Sequence, residues 1–161
     1  MGKKYKEMIE KLHYTFEELQ KDLSSIIQQM VVDGFKPEVI IGPGRGGFIP
    51  GVMLSHYFGV PFEGIRWQQR DGNIQDDKTL RHIIQKHYHD NILVIDDIND
   101  SGATLKAIFE VIAEEKSLSD IRCATLFNKT GSKYGGVDFV GRQLEPSYDP
   151  WIVFPYEEWW K

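Results

Sequence analysis

Apolar residues recur at two spacings along the chain, and their alternation predicts strands and helices in turn. After a capping box formed by Thr15 and Glu18, apolar residues repeat at helical spacing up to Gly34, which predicts one amphipathic helix. Short apolar runs predict strands at residues 38–41, 60–67, 92–95, 121–127, 137–140 and 151–154. Helical spacing returns at residues 105–116. Helices are also predicted at about 80–88 and at 48–58, where Pro50 is tolerated in the first turn and Gly59 can end the helix.

This order of elements predicts the class of fold. Strands that alternate with helices favour an α/β architecture with a parallel sheet covered on both faces. Ligands of such sheets bind at the carboxyl ends of the strands, where both glycine-bearing loops of this chain fall. We expect residues 1–161 to form one domain, with a core at about 35–127 and an irregular C-terminal segment at about 128–161.

Composition and charge narrow the classes of partner. Hydrophobic residues make up 41% of the chain and charged residues 27%, as in globular proteins. The net charge of −5 argues against nonspecific binding of nucleic acid. No apolar stretch approaches the roughly 20 residues that span a bilayer, so no membrane association is expected. Cys123 lies in an apolar run and is predicted to be a buried thiol, which suits a reducing cytoplasm.

Three histidines near the end of the third predicted helix are candidate metal ligands. His82, His87 and His89 are spaced by five and two residues, which does not place all three on one helical face. The spacing therefore favours a solvated helix end over a metal site.

The most informative segment is residues 92–104, where a buried strand is followed by three carboxylates and a helix N-terminus. Asp96 and Asp97 suit a sugar diol or the water shell of Mg²⁺. The first backbone N–H groups of the helix, at about 102–105, lie at the positive end of its dipole and can hold a phosphate, with hydroxyls of Ser101 and Thr104 beside them. Helix capping would explain Asp100 or Ser101 alone, but not three crowded acids, whose mutual repulsion needs compensation. The segment therefore predicts a site for a ribose 5-phosphate.

Residues 94–104 resemble the phosphoribosyl pyrophosphate signature of the type I phosphoribosyltransferases. The resemblance implies that Asp96 and Asp97 contact the ribose hydroxyls and the metal, and that Asp100 faces N7 of a purine. It also implies a loop for the 5′-phosphate, formed by Ser101, Gly102, Ala103 and Thr104. Asn99 departs from the family, which usually has an apolar residue there.

A second glycine-rich loop allows two interpretations. Residues 42–47 fit the pattern GxGxxG of dinucleotide-binding folds, which would make the protein an NAD(H)-dependent oxidoreductase. That pattern requires an acid at the end of the next strand, whereas Glu63 lies inside the predicted strand. The loop also resembles the pyrophosphate-binding loop of 6-oxopurine phosphoribosyltransferases, in which bare backbone approaches the diphosphate. Its residues here are Gly44, Arg45, Gly46 and Gly47.

The resemblance also assigns residues to the purine base. Lys129 matches the family lysine that donates to O6, Trp151 the aromatic residue that stacks on the base, and Ile152 the residue whose backbone meets its edge. Glu157 or Glu158 matches an acid for a second Mg²⁺. Residues 71–80 match the loop that closes over the reacting centre, although residues 66–69 depart from the Ser-Tyr that usually begins it.

Together these matches imply a Rossmann-like type I phosphoribosyltransferase fold with a small C-terminal hood. The implied reaction is purine salvage, in which the 5-phosphoribosyl group passes from phosphoribosyl pyrophosphate to hypoxanthine, guanine or xanthine with Mg²⁺. The implied partners are these small molecules, without nucleic acid or membrane, in a cytoplasmic homodimer or homotetramer. The alternative is a regulator that keeps the same fold and binds RNA or nucleotides.

Overall fold

Strands and helices alternate along most of the computed structural model, which describes residues 9–68 and 73–161. The strands are β1 (Lys11–His13), β2 (Val39–Pro43), β3 (Phe62–Ile65), β4 (Trp67–Gln68), β5 (Ile74–Gln75), β6 (Ile92–Asn99), β7 (Ile121–Lys129), β8 (Phe139–Leu144) and β9 (Trp151–Val153). The α-helices are α1 (Phe16–Asp33), α2 (Gly44–Phe58), α3 (Asp77–Lys86) and α4 (Ala103–Glu115). A short 3₁₀ turn, Leu118–Asp120, leads into β7.

The central sheet has five parallel strands in the order β3-β2-β6-β7-β8. From β2 the chain passes through α2 to β3 on one side, and from β6 it passes through α4 to β7 on the other. The connections therefore diverge between β2 and β6, which is the topological switch point where α/β sheets of this kind open a crevice for ligands. The predicted α/β class with a parallel sheet is confirmed.

Alternate residues of each central strand are buried in opposite layers. Ile40 and Leu93 pack in one core with α1 and α2, whereas Val39 and Ile92 pack in the other with α3 and α4. Each central strand is buried on both faces, so it appears in the sequence as a continuous apolar run. The sheet thereby holds the turns at its carboxyl end on a rigid base.

The first helix follows from local sequence as predicted. The hydroxyl of Thr15 accepts a hydrogen bond from the Glu18 N–H, and the Glu18 carboxylate accepts one from the Thr15 N–H, which completes the capping box. The helix then ends at Gly34.

Several boundaries differ from the predicted ones. Strand β6 continues past Ile95 to Asn99, because Asp96 and Ile98 still pair with Thr125 and Phe127 on β7. Helix α2 begins at Gly44 and not at residue 48, so the glycine-rich loop forms its first turn. The single strand predicted at 60–67 is two strands: β3 lies in the central sheet, and β4 pairs antiparallel with β5.

The C-terminal segment contributes to two sheets. Strand β8 is the edge of the central sheet, and β9 pairs parallel with β1, a strand that the sequence pattern did not predict. The backbone N–H of Trp151 donates to the Glu10 carbonyl and that of Tyr14 donates to the Val153 carbonyl, so residues 151 and 153 face β1. In the described residues, no helix is long and apolar enough to cross a membrane.

Candidate active site

The two predicted phosphate-binding turns meet at the switch point. The turn at the start of α2 follows β2, and the turn before α4 follows β6, the strand next to β2. The Asp97 carboxyl group lies directly against Gly46, where a Cβ atom would be 2.5 Å from its Oδ2. Only a glycine allows this approach of backbone to carboxylate, which explains the residue at position 46.

The two acids at the end of β6 have different environments. As successive residues of a strand they project to opposite sides, and Asp96 is buried while Asp97 is partly exposed. The Asp97 N–H donates to Asp96 Oδ1 at 2.9 Å, and the hydroxyl of Tyr156 donates to Asp97 Oδ2 at 3.2 Å. The structure thus brings Tyr156, which sequence analysis did not assign to the site, onto the proposed ribose-binding acid.

Burial controls the ionisation of this pair. Burial raises the pKa of Asp96 well above its ordinary range, and the charge of Asp97 adds to the effect. Burial also raises the pKa of Asp97 to about 6, against the hydrogen bond from Tyr156 that favours its charged form. The nearby charge of Glu157 raises it further. An acid pair held in this state gains from a cation or from hydroxyl donors, which a metal-bound sugar diphosphate supplies.

The turn before α4 has the geometry of an anion cradle. The first hydrogen bond of the helix runs from the Lys106 N–H to the Gly102 carbonyl at 2.9 Å, so the N–H groups of Thr104 and Leu105 precede the helical ladder. The hydroxyl of Ser101 accepts from the Ala103 N–H at 3.3 Å. Gly102 has a φ of +87°. This turn therefore places backbone donors at the positive end of α4.

The loop after β7 closes one side of this cradle. A Cβ on Gly102 would lie 2.5 Å from the Ser132 hydroxyl, and the Lys133 N–H donates to the Ser101 carbonyl at 3.0 Å. The side chain of Asn99 also reaches this loop, accepting from the Ser132 hydroxyl at 3.0 Å and donating to the Tyr134 carbonyl at 2.9 Å. Asn99, where the family usually has an apolar residue, therefore fixes the phosphate turn to its neighbouring loop.

The predicted base-binding residues lie at the same end of the sheet. Lys129 is the last residue of β7, and its ammonium forms an ion pair with Asp100 at 2.8 Å and a closer one with Asp149. Trp151 is 47% exposed and begins β9. Since residues 151 and 153 bond to β1, the N–H and carbonyl of the buried Ile152 point to the opposite edge of β9. Asp149 is the residue here that motif analysis did not assign.

The structure separates the two acids considered for a second metal. Glu157 accepts a hydrogen bond from the Phe154 N–H at 3.1 Å and lies close enough to raise the pKa of Asp97. Glu158 is paired with Lys161 at 2.8 Å, and this contact lowers its pKa. No three His, Cys, Asp or Glu side chains converge on one point in the described residues. Carboxylates in ones and twos nevertheless suit Mg²⁺, which keeps waters and binds substrate phosphates.

The structure also describes Cys123, the histidines near the end of α3 and part of the predicted closing loop. The thiol of Cys123 is fully buried, as predicted. The solvated helix end predicted at the histidines is wrong for His87, which is buried and contacts Asp90 at 2.7 Å and Glu63 at 3.4 Å. Within the predicted closing loop, residues 71–72 lie outside the described residues, and Ile74–Gln75 forms β5.

The dinucleotide interpretation is not supported by this geometry. Glu63 is the second residue of β3, before its carboxyl end, and its carboxylate is paired with Lys86 at 3.1 Å beside His87. A dinucleotide fold places its ribose-binding acid at the end of that strand.

Comparison with known proteins gives the family. A xanthine-guanine phosphoribosyltransferase from Nitratidesulfovibrio vulgaris is 24% identical over 149 residues, covering 89% of this chain and 82% of the relative. An adenine phosphoribosyltransferase from Francisella tularensis is 26% identical over 148 residues, with 81% and 76% covered. The solved structure of the Helicobacter pylori xanthine-guanine-hypoxanthine phosphoribosyltransferase superposes with a TM-score of 0.65 at 27% identity, covering 92% of this chain and 94% of that one.

The model of the phosphoribosyl transferase domain matches residues 7–158, which is nearly the whole chain. It includes both turns at the switch point, the acids at the end of β6 and the segment from Lys129 to Glu157. The chain is therefore a transferase of the phosphoribosyltransferase family.

Proposed function

We propose that the protein transfers the 5-phosphoribosyl group of phosphoribosyl pyrophosphate to hypoxanthine, guanine or xanthine. The observation that carries the choice of base is the pair formed by the Lys129 ammonium and the Asp100 carboxylate, 2.8 Å apart beside the phosphate turn. On a 6-oxopurine, the acceptor O6 and the ring nitrogen N7 are neighbours. A donor and an acceptor side by side therefore match this edge of the base.

The same pair disfavours adenine. An ammonium only donates hydrogen bonds, and the 6-amino group of adenine presents hydrogens at the position of O6. A site built to donate to a substrate oxygen discriminates against an analogue that offers no acceptor there, because the N–H group aimed at the base then meets another donor. Trp151 would stack on the base, and the backbone of Ile152 would meet its opposite edge.

The sugar and its phosphates occupy the two turns in this proposal. Asp97 accepts hydrogen bonds from the ribose hydroxyls, the buried Asp96 supports it by accepting from its backbone N–H, and the turn from Ser101 to Thr104 holds the 5′-phosphate. The first turn of α2, with Arg45, faces the diphosphate and stabilises the charge that it gains as it leaves. Members of this family use phosphoribosyl pyrophosphate with Mg²⁺. Asp97, with Glu157 nearby, would hold this ion through its waters, where it neutralises diphosphate charge.

The reaction then needs little covalent chemistry from the protein. Nitrogen N9 of the base forms a bond to C1′ while the bond from C1′ to the diphosphate oxygen breaks and its electrons leave with the diphosphate. The proton lost from the imidazole ring of the base passes to the Asp100 carboxylate. The products are a nucleoside 5′-monophosphate and pyrophosphate. Catalysis comes mainly from positioning and from charge stabilisation.

Two measurements test this proposal. Calorimetry in the presence of Mg²⁺ is expected to detect binding of phosphoribosyl pyrophosphate, and spectrophotometric assays are expected to show nucleotide formation from at least one of the three 6-oxopurines. Adenine in the same assay is expected to react far more slowly. Absence of binding, or a preference for adenine, would refute the proposal.

We also propose an assembly and a location. Helix α2 exposes apolar side chains, including Ile49, Val52 and Tyr57, which supports a homodimer or homotetramer. Sedimentation of the purified protein measures this directly. The buried thiol of Cys123 suits a cytoplasmic protein.

A further inference from the structure

The ammonium of Lys129 lies between two carboxylates that come from different parts of the fold. Asp100 belongs to the turn after β6 and is 2.8 Å away, and Asp149 belongs to the segment before β9 and is closer still. The Lys129 side chain is 20% exposed, whereas that of Asp149 is 64% exposed. The less exposed lysine is thus held between two acids, of which Asp149 is the more exposed.

This arrangement fits the donor capacity of a lysine. An ammonium carries three N–H donors and no acceptor, and two carboxylates engage two of them. The third N–H then has a defined direction, which a flexible four-carbon side chain alone would not give it. A donor so oriented can recognise one oxygen on a planar base.

The contact also links two parts of the base pocket. Asp149 lies two residues before Trp151, which begins β9, whereas Lys129 ends β7 in the central sheet. The ion pair between Lys129 and Asp149 therefore fixes the segment that carries the stacking aromatic to the strand that carries the lysine. Asp100, by contrast, must turn to the base when it accepts a proton, and Asp149 then remains as the counter-charge of the lysine.

We infer that Asp149 is a positioning residue that orients Lys129 and thereby sets the preference for a 6-oxo over a 6-amino purine. This inference rests on the proposed function, since it assigns Lys129 to the O6 atom. Its effect is confined to recognition of the base, because the ribose and phosphate turns make no use of Asp149.

The test compares steady-state kinetics of Asp149→Asn, Asp149→Glu and the unaltered protein with each 6-oxopurine and with adenine. Asp149→Asn is expected to raise KM for the 6-oxopurine about 5-fold, the upper range for a partly exposed ion pair. It should leave KM for phosphoribosyl pyrophosphate unchanged and lower the ratio of kcat/KM for the 6-oxopurine to that for adenine. Asp149→Glu, which keeps the charge, is expected to restore most of this ratio.

The pH profile gives a second readout that a purely structural role would not alter. Burial lowers the pKa of Lys129, but the hydrogen bonds from its ammonium to Asp100 and Asp149 outweigh burial and raise the pKa above its ordinary value. Loss of the Asp149 charge therefore lowers this pKa. The alkaline limb of kcat/KM for the base is expected to move to lower pH in Asp149→Asn.

Glu145→Gln is the matched control, because Glu145 is an exposed acid in the same segment and loses the same charge. It is expected to behave as the unaltered protein. Equal KM values and pH profiles for Asp149→Asn and Glu145→Gln would overturn the inference. An equal rise of KM for the 6-oxopurine and for phosphoribosyl pyrophosphate in Asp149→Asn would also overturn it. An unaltered protein that is inactive with all three 6-oxopurines would instead refute the proposed function, and that result is obtained before any variant is compared.

Discussion

The Asp97 carboxyl group contacts the backbone of Gly46 at the point where the turn after β2 meets the turn after β6. A Cβ on Gly46 would lie 2.5–2.6 Å from three atoms of this group, well inside van der Waals contact. Movement of the carboxyl group would break the hydrogen bond that it accepts from the Tyr156 hydroxyl at 3.2 Å. The diphosphate turn and the ribose-binding acid therefore depend on one close contact.

Substitution Gly46→Ala should disrupt the binding of phosphoribosyl pyrophosphate more than it disrupts the fold. The added methyl group must displace the Asp97 carboxyl group or the first turn of α2, and a misplacement of about 1 Å at a reacting centre can cost about 100-fold in rate. We expect kcat/KM for phosphoribosyl pyrophosphate to fall about 10- to 100-fold. Steady-state kinetics measure the fall, and circular dichroism checks that the fold remains.

The control for this substitution is Gly135→Ala. A Cβ on Gly135 would meet no atom within 4 Å, so the same chemical change should have little effect on kinetics. If both variants retained full activity, the contact between Gly46 and Asp97 would have no part in substrate binding.

The affinity for phosphoribosyl pyrophosphate should increase as the pH rises through about 6. Burial raises the pKa of Asp97 to about 6, so its carboxyl group is protonated below this pH and cannot accept from both ribose hydroxyls and metal-bound water. If binding requires the charged form, affinity should increase about 10-fold between pH 5 and pH 7. Calorimetric titration at several pH values measures the midpoint.

Removal of the Tyr156 hydroxyl should move this midpoint to higher pH. The hydroxyl donates to Asp97 and favours its charged form, so Tyr156→Phe raises the pKa of Asp97. Because phosphoribosyl pyrophosphate titrates identically with both proteins, the difference between their midpoints reports on the protein alone. Tyr148→Phe, which removes an exposed hydroxyl, serves as control. A midpoint common to all three proteins would exclude Asp97 as the titrating group.

The local structure that carries the candidate site could be predicted from sequence because its members lie within a few consecutive residues. The acids at 96 and 97, the phosphate turn and the start of α4 form one strand, turn and helix unit, whose geometry is determined locally. The capping box at Thr15 is local in the same way. Such features can be predicted from the sequence because the local backbone geometry brings their residues together.

The parts of the candidate site that the sequence did not predict are contacts between distant segments. Tyr156 reaches Asp97 from 59 residues away, and Asp149 reaches Lys129 from the far side of β8. These neighbours follow from strand order and from the pairing of β9 with β1, and β1 is only three residues long, too short to show alternation. Strand β6 was predicted too short for another reason: its apolar signal ends where the site begins, although its pairing with β7 continues.

Loss of the Asp100 carboxylate should slow the chemical step. In the proposed mechanism Asp100 accepts a proton from the imidazole ring of the base, so Asp100→Ala should lower kcat by about 10-fold or more. The side chain is 42% exposed, and we expect little change in the fold. Asp120→Ala, at an exposed aspartate of the 3₁₀ turn, should retain full kcat. An unchanged kcat in Asp100→Ala would remove Asp100 from the mechanism.

A ladder of side-chain amides crosses three strands beside the phosphate turn. Asn99 on β6 lies opposite Asn128 on β7, which lies opposite Gln143 on β8. The Asn99 Nδ2 donates to Asn128 Oδ1 at 2.8 Å, and the Asn128 Nδ2 donates to Gln143 Oε1 at 3.1 Å. Asn99 is only 2% exposed and also bonds to Ser132 and Tyr134, so it is the anchor of this ladder.

Replacement of this anchor by the apolar residue usual in the family should destabilise the protein. Asn99→Leu keeps the branched shape and the number of heavy atoms but leaves the partly buried Tyr134 carbonyl and Ser132 hydroxyl without this partner, and an unsatisfied buried group costs about 1–3 kcal/mol. We expect the free energy of unfolding to fall by about 2 kcal/mol, measured by urea denaturation. Since the loop that Asn99 holds packs on Gly102, KM for phosphoribosyl pyrophosphate should rise as well. Gln143→Leu, at the exposed end of the ladder, should cost less than about 1 kcal/mol because water can replace its bonds. Equal stabilities of the two variants would show that Asn99 contributes no more to stability than the exposed end of this ladder of amides.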